Sequence, residues 1–158
     1  MPQKCLAARP RVMVIHHQTD FALKLADWIA ALGYEAAIAR NVEDMLALLH
    51  EARPDGILLD LQLQAVGGMQ VLRLLKAIHP EVPVVTITEG PLGDLALLSV
   101  RAGASAFLIK PFELEHLNTA LDEHVRARSG ANPSDIHRPK PSVHTIWNMA
   151  PLAGETGR

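Results

Sequence analysis

Cysteine, aromatic side chains and long apolar runs are scarce in this chain of 158 residues, and each scarcity excludes a class of protein. The single cysteine, Cys5, allows no disulfide framework within one chain, which suits a reducing compartment. No apolar run approaches the roughly 20 residues of a membrane-spanning helix, and the N-terminal run is too short for a signal peptide. The formal net charge of −2 gives no overall attraction to nucleic acid or membranes. We therefore expect a cytoplasmic protein that binds neither.

The chain has instead a regular alternation of two hydrophobic patterns. Hydrophobic residues form 49% of the sequence, and short apolar runs alternate five times with apolar residues at helical spacing. The runs predict strands over 12–15, 33–39, 57–60, 83–88 and 106–110. The helical spacing predicts helices over 20–32, from Asn41 onward, around 71–78, over 91–102 and over 113–128.

Strands that are joined by helical crossovers lie parallel, and buried parallel strands read as continuous apolar runs. The predicted fold is therefore an α/β domain with a doubly wound, five-stranded parallel sheet flanked by five helices. Residues 11–128 form this domain, after an N-terminal extension over 1–10. Residues 129–158 contain prolines and show no period, which predicts an extended or disordered C-terminal tail.

Residue types also predict helix starts and inward faces. Thr19 or Asp20 suits the N-cap of the first helix, and Asn41 suits that of the second, with Asp44 three residues later. Periodicity selects the side chains that face the core. It places Val42, Met45, Leu46 and Leu49 inward on the second helix, and Val71, Leu74, Leu75 and Ile78 inward on the third.

Polar residues stand where four of the predicted strands end. His16 and His17 follow the first strand, Asp60 ends the third, Thr88 the fourth and Lys110 the fifth. The carboxyl ends of parallel strands meet at one edge of the sheet, where α/β domains form their sites. We expect these five residues to cluster, with two adjacent imidazoles beside a carboxylate.

These strand ends resemble the receiver domain of two-component response regulators. The resemblance covers residues 11–127 and rests on four motifs in order, of which the last is the most specific. They are PDGILLDL around Asp60, Gly68 eight residues beyond it, PVVTIT ending at Thr88, and AGASAFLIKPF around Lys110. The resemblance implies a flavodoxin-like receiver fold.

The resemblance also implies roles for residues at these ends. Asp60 is implied as the phosphoryl acceptor, Lys110 as the cation that contacts the phosphate, and Thr88 as the switch hydroxyl. Phe107 stands at the family's switch aromatic, and the peptide bond before Pro111 is expected to be cis. A carboxylate attacks a phosphoryl group only when surrounding charge is neutralised, which magnesium and the lysine do in this family.

Two departures affect the centre of this mechanism. The family places two acidic residues after the first strand to hold magnesium, and this chain has His16 and His17 there. Magnesium prefers oxygen ligands, so we expect weak magnesium binding and no other cofactor. Glu89 follows the switch threonine, where the family has a small residue, and we expect it to block access and repel a phosphodonor.

Other interpretations of the site residues stay open. One or both imidazoles could bind zinc, manganese or copper together with Asp60, with His17 and Asp60 as the core of such a site. The histidines could sense pH, because a protonated imidazole is favoured beside a carboxylate. Asp60 could be ion-paired with Lys110 for structural reasons alone. Thr88 could be a hydrogen-bonded core hydroxyl and Phe107 a packed ring.

Two features predict contact with other proteins. Leu97 and Leu98 flank the polar strip of the fourth helix, and we expect them to be partly exposed. The resemblance implies that this helix, the fifth strand and the fifth helix form a dimerisation and partner face. In the tail, Trp147 lies among other apolar residues and could be the centre of a recognition peptide.

The sequence thus predicts an atypical single-domain response regulator, a pseudo-receiver that is not an enzyme. We expect it to signal by protein contacts, independently of ordinary magnesium-dependent phosphorylation. Its partners would be a histidine kinase, a phosphotransfer protein or a downstream effector. Two alternatives stay open: a working phosphoacceptor at Asp60 that is served by a histidine kinase, and a metal- or pH-responsive sensor that uses His16 and His17.

Overall fold

The structure, a computed structural model, describes residues 9–63, 67–89 and 93–127. The predicted tail with Trp147 and most of the N-terminal extension lie outside these ranges. The described strands are β1 (Arg11–Ile15), β2 (Glu35–Ala39), β3 (Gly56–Asp60), β4 (Val84–Glu89) and β5 (Ala106–Lys110). The helices are α1 (Thr19–Ala31), α2 (Val42–Glu51), α3 (Gly68–Ile78), α4 (Gly93–Arg101) and α5 (Leu114–Leu121), and α5 continues into a π-helical turn over Asp122–Arg126.

All five strands are parallel and lie in the order β2-β1-β3-β4-β5, so the predicted sheet is confirmed. Side chains alternate between its two faces. Val12 and Val14 pack on one face with residues of α1 and α5, whereas Met13 and Ile15 pack on the other with α2 and α3. Both faces are thus covered by helices, as doubly wound sheets require.

Local residue chemistry explains several helix boundaries. The side chain of Asn41 accepts a hydrogen bond from the Asp44 amide, 2.8 Å away, which confirms the predicted start of α2. The predicted N-cap of α1 is wrong, because Gln18 occupies that position without a side-chain cap, and Thr19 and Asp20 lie in the first turn. No described helix has the length and apolar character to cross a bilayer.

Three side chains that periodicity placed inward are exposed. Leu46, Leu74 and Ile78 keep 44%, 39% and 44% of their surface in solvent, whereas Leu72 is fully buried. The inward face of α3 is therefore centred on Val71, Leu72 and Leu75, because a sheet covers only part of the helix circumference. A wide apolar stripe does not show which of its edges contacts the sheet.

Candidate functional site

The candidate site lies at the carboxyl edge of the sheet, where strand register aligns the predicted residues. Ile15 pairs with Leu59 and Asp60 with Ile87, while Glu89 pairs with Lys110. The residues that follow β1 and those that end β3, β4 and β5 therefore stand at one edge. The predicted cluster forms there around Asp60.

Asp60 is fully buried, and the described residues hold both of its carboxylate oxygens. Oδ1 accepts a hydrogen bond from the Gln62 amide at 2.9 Å. Oδ2 lies 3.3 Å from His16 Nε2 and 3.1 Å from His17 Nδ1. The imidazoles stand against the same oxygen and stack on one another, with ring centroids 5.2 Å apart and planes 9° apart.

The hydrogen bonds assign different tautomers to the two histidines. The Gln18 amide donates to His16 Nδ1 at 3.0 Å, and a backbone amide can only donate. The proton of a neutral His16 ring is therefore on Nε2, where it faces Asp60. His17 faces the same carboxylate through Nδ1, so in the neutral ring the proton is on Nδ1 and Nε2 has the lone pair.

Burial keeps His16 neutral. Desolvation lowers the pKa of His16 from 6.5 to about 4, and this exceeds the opposing effect of the Asp60 charge. Lys110 and His17 lower it further. Asp60 raises the pKa of His16, as expected, but burial of the whole side chain outweighs this effect and leaves the ring neutral.

Lys110 contacts His16, Glu89 and Phe21. Its Nζ lies 3.0 Å from His16 Nε2, 3.5 Å from Glu89 Oε1 and 4.3 Å above the ring of Phe21. Within the described ranges, no ion pair joins Asp60 to Lys110, so that structural interpretation is wrong. His16 Nε2 carries a proton, and its contact with Lys110 is thus a close approach of two donors, which the charge of Glu89 and the ring of Phe21 offset.

The other predicted site residues have contrasting surroundings. The Thr88 hydroxyl is buried and has no hydrogen-bond partner among the described residues, so the alternative of a hydrogen-bonded core hydroxyl is wrong. Phe107 is buried against Ala96 and Ile109 beneath α4. The peptide bond between Lys110 and Pro111 is cis.

Several contacts at this edge were missing from the sequence analysis. Phe21 lies 4.8 Å from the His16 ring and beneath Lys110, and helical periodicity does not predict either contact. The hydroxyls of Thr86 and Ser99 meet at 2.9 Å in the core and join β4 to α4. Ser99 interrupts an apolar helix face, and that was the only signal for this pair.

The donor atoms of His16, His17 and Asp60 lie within 4.8 Å of one another, which is close enough for one metal ion. Two nitrogens and one carboxylate do not fit magnesium, which selects oxygen. A nitrogen-binding metal would need the lone pair of His16 Nε2, where the Gln18 contact leaves the proton. His17 Nδ1 also directs its proton to Asp60, so a metal held by His17 and Asp60 would likewise have to displace a ring proton.

The surface of α4 matches the prediction from sequence. Leu97 and Leu98 are 45% and 50% exposed, while Ala96 and Ser99 face the core. Asp94 and Arg101 lie on the exposed side of the same helix. Two leucines therefore form an apolar strip on a polar helix face.

Comparison with known proteins identifies the family. The model of the response regulator receiver domain matches residues 12–122. The chain belongs to this family. As a receiver domain it is 36% identical over 116 residues to the regulatory protein LuxO of Vibrio vulnificus strain YJ016, an alignment that covers 73% of this chain and 26% of LuxO. It is 30% identical over 125 residues to the transcriptional regulatory protein PrrA of Mycobacterium bovis, covering 79% and 54% of the two chains.

Solved receiver domains show the same fold. The receiver domain of NtrX from Brucella abortus aligns with a TM-score of 0.70 and 27% identity, covering 73% of this chain and 98% of that one. The receiver domain described here spans about a quarter of LuxO and about half of PrrA.

Proposed function

We propose that this receiver domain signals through protein contacts and does not use ordinary magnesium-dependent phosphorylation at Asp60. The observation that carries the proposal is the contact of both imidazoles with Asp60 Oδ2, at 3.3 and 3.1 Å. The hydrogen bond from His17 Nδ1 and the nearby His16 Nε2 draw electron density from this oxygen, which makes it a weaker nucleophile. The imidazoles also fill the space in which oxygen ligands would bind magnesium.

The position of Lys110 supports the same proposal. Phosphoryl transfer to a carboxylate needs positive charge beside the incoming group. Here Lys110 contacts Glu89 and the Phe21 ring, so its charge is partly used before a donor arrives. Glu89 is about half exposed and adds negative charge at the entrance.

The proposed partners are proteins of two-component signalling: a histidine kinase, a phosphotransfer protein or a downstream effector. The exposed Leu97 and Leu98 support a contact face on α4, which would extend over β5 and α5 in a homodimer. We place this activity in the cytoplasm and propose no catalytic turnover. A transition metal at His17 and Asp60 would be an accessory ligand.

Intact-mass spectrometry after incubation with acetyl phosphate tests the proposal. We expect no phosphoryl adduct on Asp60 with magnesium or manganese, and the same spectrum from Asp60→Ala. An adduct that alkali removes and that Asp60→Ala lacks would show an acyl phosphate, and the proposal would be wrong.

The contact face has its own test. Leu97→Lys with Leu98→Lys should lower self-association in sedimentation experiments. Leu74→Lys is the matched control, because Leu74 has similar exposure on α3. An equal loss in the control would show that the α4 face is not specific.

A further inference from the structure

The two adjacent histidines differ in whether the protein contacts both nitrogens of the imidazole ring. Both nitrogens of His16 are engaged in a fully buried ring, since Nδ1 accepts from Gln18 and Nε2 faces Asp60. The His17 side chain is 25% exposed, and only its Nδ1 is held by Asp60. Within the described residues, no hydrogen bond occupies His17 Nε2, which carries the lone pair.

A buried carboxylate that holds Nδ1–H makes the opposite nitrogen of an imidazole a directed nucleophile. The carboxylate selects the tautomer and fixes the ring plane. It also stabilises the positive charge that develops on the ring as Nε2 forms a bond. The buried Asp60 provides this arrangement, and the stacked His16 ring restricts the rotation of His17.

We propose that His17 Nε2 is a phosphoryl acceptor in this pocket, with Asp60 as its positioning residue. The inference goes beyond the proposed function, which concerns signalling by protein contacts and the loss of acceptor activity at Asp60. The donor would belong to the phosphoramidate class, which carries its phosphoryl group on nitrogen.

The transfer balances without a metal or a redox partner. The Nε2 lone pair forms the new N–P bond while the N–P bond of the donor breaks. The leaving amine takes the bonding electrons and a proton from solvent. The His17 ring keeps Nδ1–H against Asp60 Oδ2, so the charge that it gains is stabilised where it forms.

Incubation of the protein with phosphoramidate in the presence of a chelator tests the inference. Intact mass should show one phosphoryl adduct that acid removes and alkali leaves, as expected of phosphohistidine, whereas alkali removes an acyl phosphate. His17→Gln should abolish it. His79→Gln is the matched control, because His79 is 24% exposed and its Nδ1 lies 3.9 Å from Glu81, beyond hydrogen-bond distance.

The positioning role of Asp60 is tested by rate and by spectroscopy. Asp60→Asn can donate its amide to Nδ1 and move the ring proton to Nε2, which should slow adduct formation about tenfold or more. Nitrogen-15 NMR should show His17 as the Nδ1–H tautomer in the parent and as Nε2–H in Asp60→Asn. This change would not follow from a merely structural effect.

Three results would overturn the inference: no adduct, an adduct that survives His17→Gln, or an unchanged tautomer in Asp60→Asn. An alkali-labile adduct from acetyl phosphate and magnesium would instead contradict the proposed function. The two failures are therefore distinguishable, because they differ in donor, metal and chemical lability.

Discussion

The two edges of the sheet each contain a buried imidazole, and the two rings differ in their hydrogen-bond partners. At the carboxyl edge, His16 has hydrogen-bonding groups at both ring nitrogens. At the amino edge, His124 in the π-helical turn is also buried, and its Nε2 has no hydrogen-bond partner among the described residues. Burial lowers the pKa of both rings. A buried histidine therefore does not define a site by itself, whereas a connected polar network does.

Packing also separates the two edges. The amino edge is closed by the π-helical turn, where Val125 packs over Gly56 and Arg126 donates to the Leu32 carbonyl at 2.6 Å. The carboxyl edge is closed by polar side chains around Asp60. Close packing of side chains against the backbone therefore determines the structure of the amino edge. The directions of hydrogen bonds around Asp60 determine that of the carboxyl edge.

The largest predicted effect converts the carboxyl edge to an acidic site. The double variant His16→Asp with His17→Asp restores oxygen ligands for magnesium. We expect the rate of acyl phosphate formation from acetyl phosphate to rise roughly a thousandfold in magnesium. Intact mass over time measures this, with Asp60→Ala added to the variant as control. An unchanged rate would show that Glu89 or Lys110, and not the histidines, limits the reaction.

A pair of glycine substitutions compares the packing of the two edges. A Cβ at Gly68 would stand 2.3 Å from the Leu61 Cα, which is backbone, whereas a Cβ at Gly56 would meet the Val125 side chain at 2.4 Å. A side chain can shift more easily than a backbone. Gly68→Ala should therefore lower the free energy of unfolding by about 3 kcal/mol and Gly56→Ala by about 1 kcal/mol. Urea denaturation gives both values, and the reverse order would contradict this account.

Replacing each buried histidine by leucine tests the network directly. His16→Leu removes a donor from the buried Asp60 carboxylate, and we expect a loss of about 2 kcal/mol in the free energy of unfolding. His124→Leu removes an unpartnered buried nitrogen and should raise stability by up to about 1 kcal/mol. Equal losses in both variants would show that volume alone matters at the two positions.

The last prediction concerns the pH dependence of stability. The pKa of His16 falls to about 4 in the folded protein from 6.5 unfolded, and burial lowers that of His124 as well. As pH falls, the unfolded chain binds a proton at the His16 ring before the folded protein does. The contribution of the neutral ring to the free energy of unfolding is therefore complete above pH 6.5 and decreases toward pH 4. His16 should contribute about 1 kcal/mol per pH unit within this window, and His124 changes stability in the same direction. His124→Leu should reduce the slope in urea denaturation curves, and an unchanged slope would exclude that ring as a source.

The fold was predictable because its signals are local. The five apolar runs and the intervening helical spacing produced the sheet as expected, and the start of α2 at Asn41 was correct to the residue. The errors arose where one helix face had too many apolar residues. Leu74 and Ile78 fit the same stripe as Val71, and only the position of α3 on the sheet decides which of them reach the core.

The sequence predicted which residues form the candidate site. It did not predict the contacts between their side chains. The order of residues along the chain sufficed to bring His16, His17, Asp60, Thr88 and Lys110 to one edge, because parallel strands end together. It did not predict that Lys110 would contact Glu89 and Phe21 and leave Asp60 to the imidazoles. The contacts that Lys110 makes depend on the directions of side chains from three strands and a helix.

The sequence by itself determined a parallel α/β sheet and the set of polar residues at its carboxyl edge, because hydrophobic period and strand order are properties of the chain. Only the tertiary structure decided what each imidazole does. A backbone amide two residues away and a buried carboxylate from β3 place the proton of His16 on Nε2 and that of His17 on Nδ1. Proton positions follow from the groups that surround a ring, and folding alone brings those groups together.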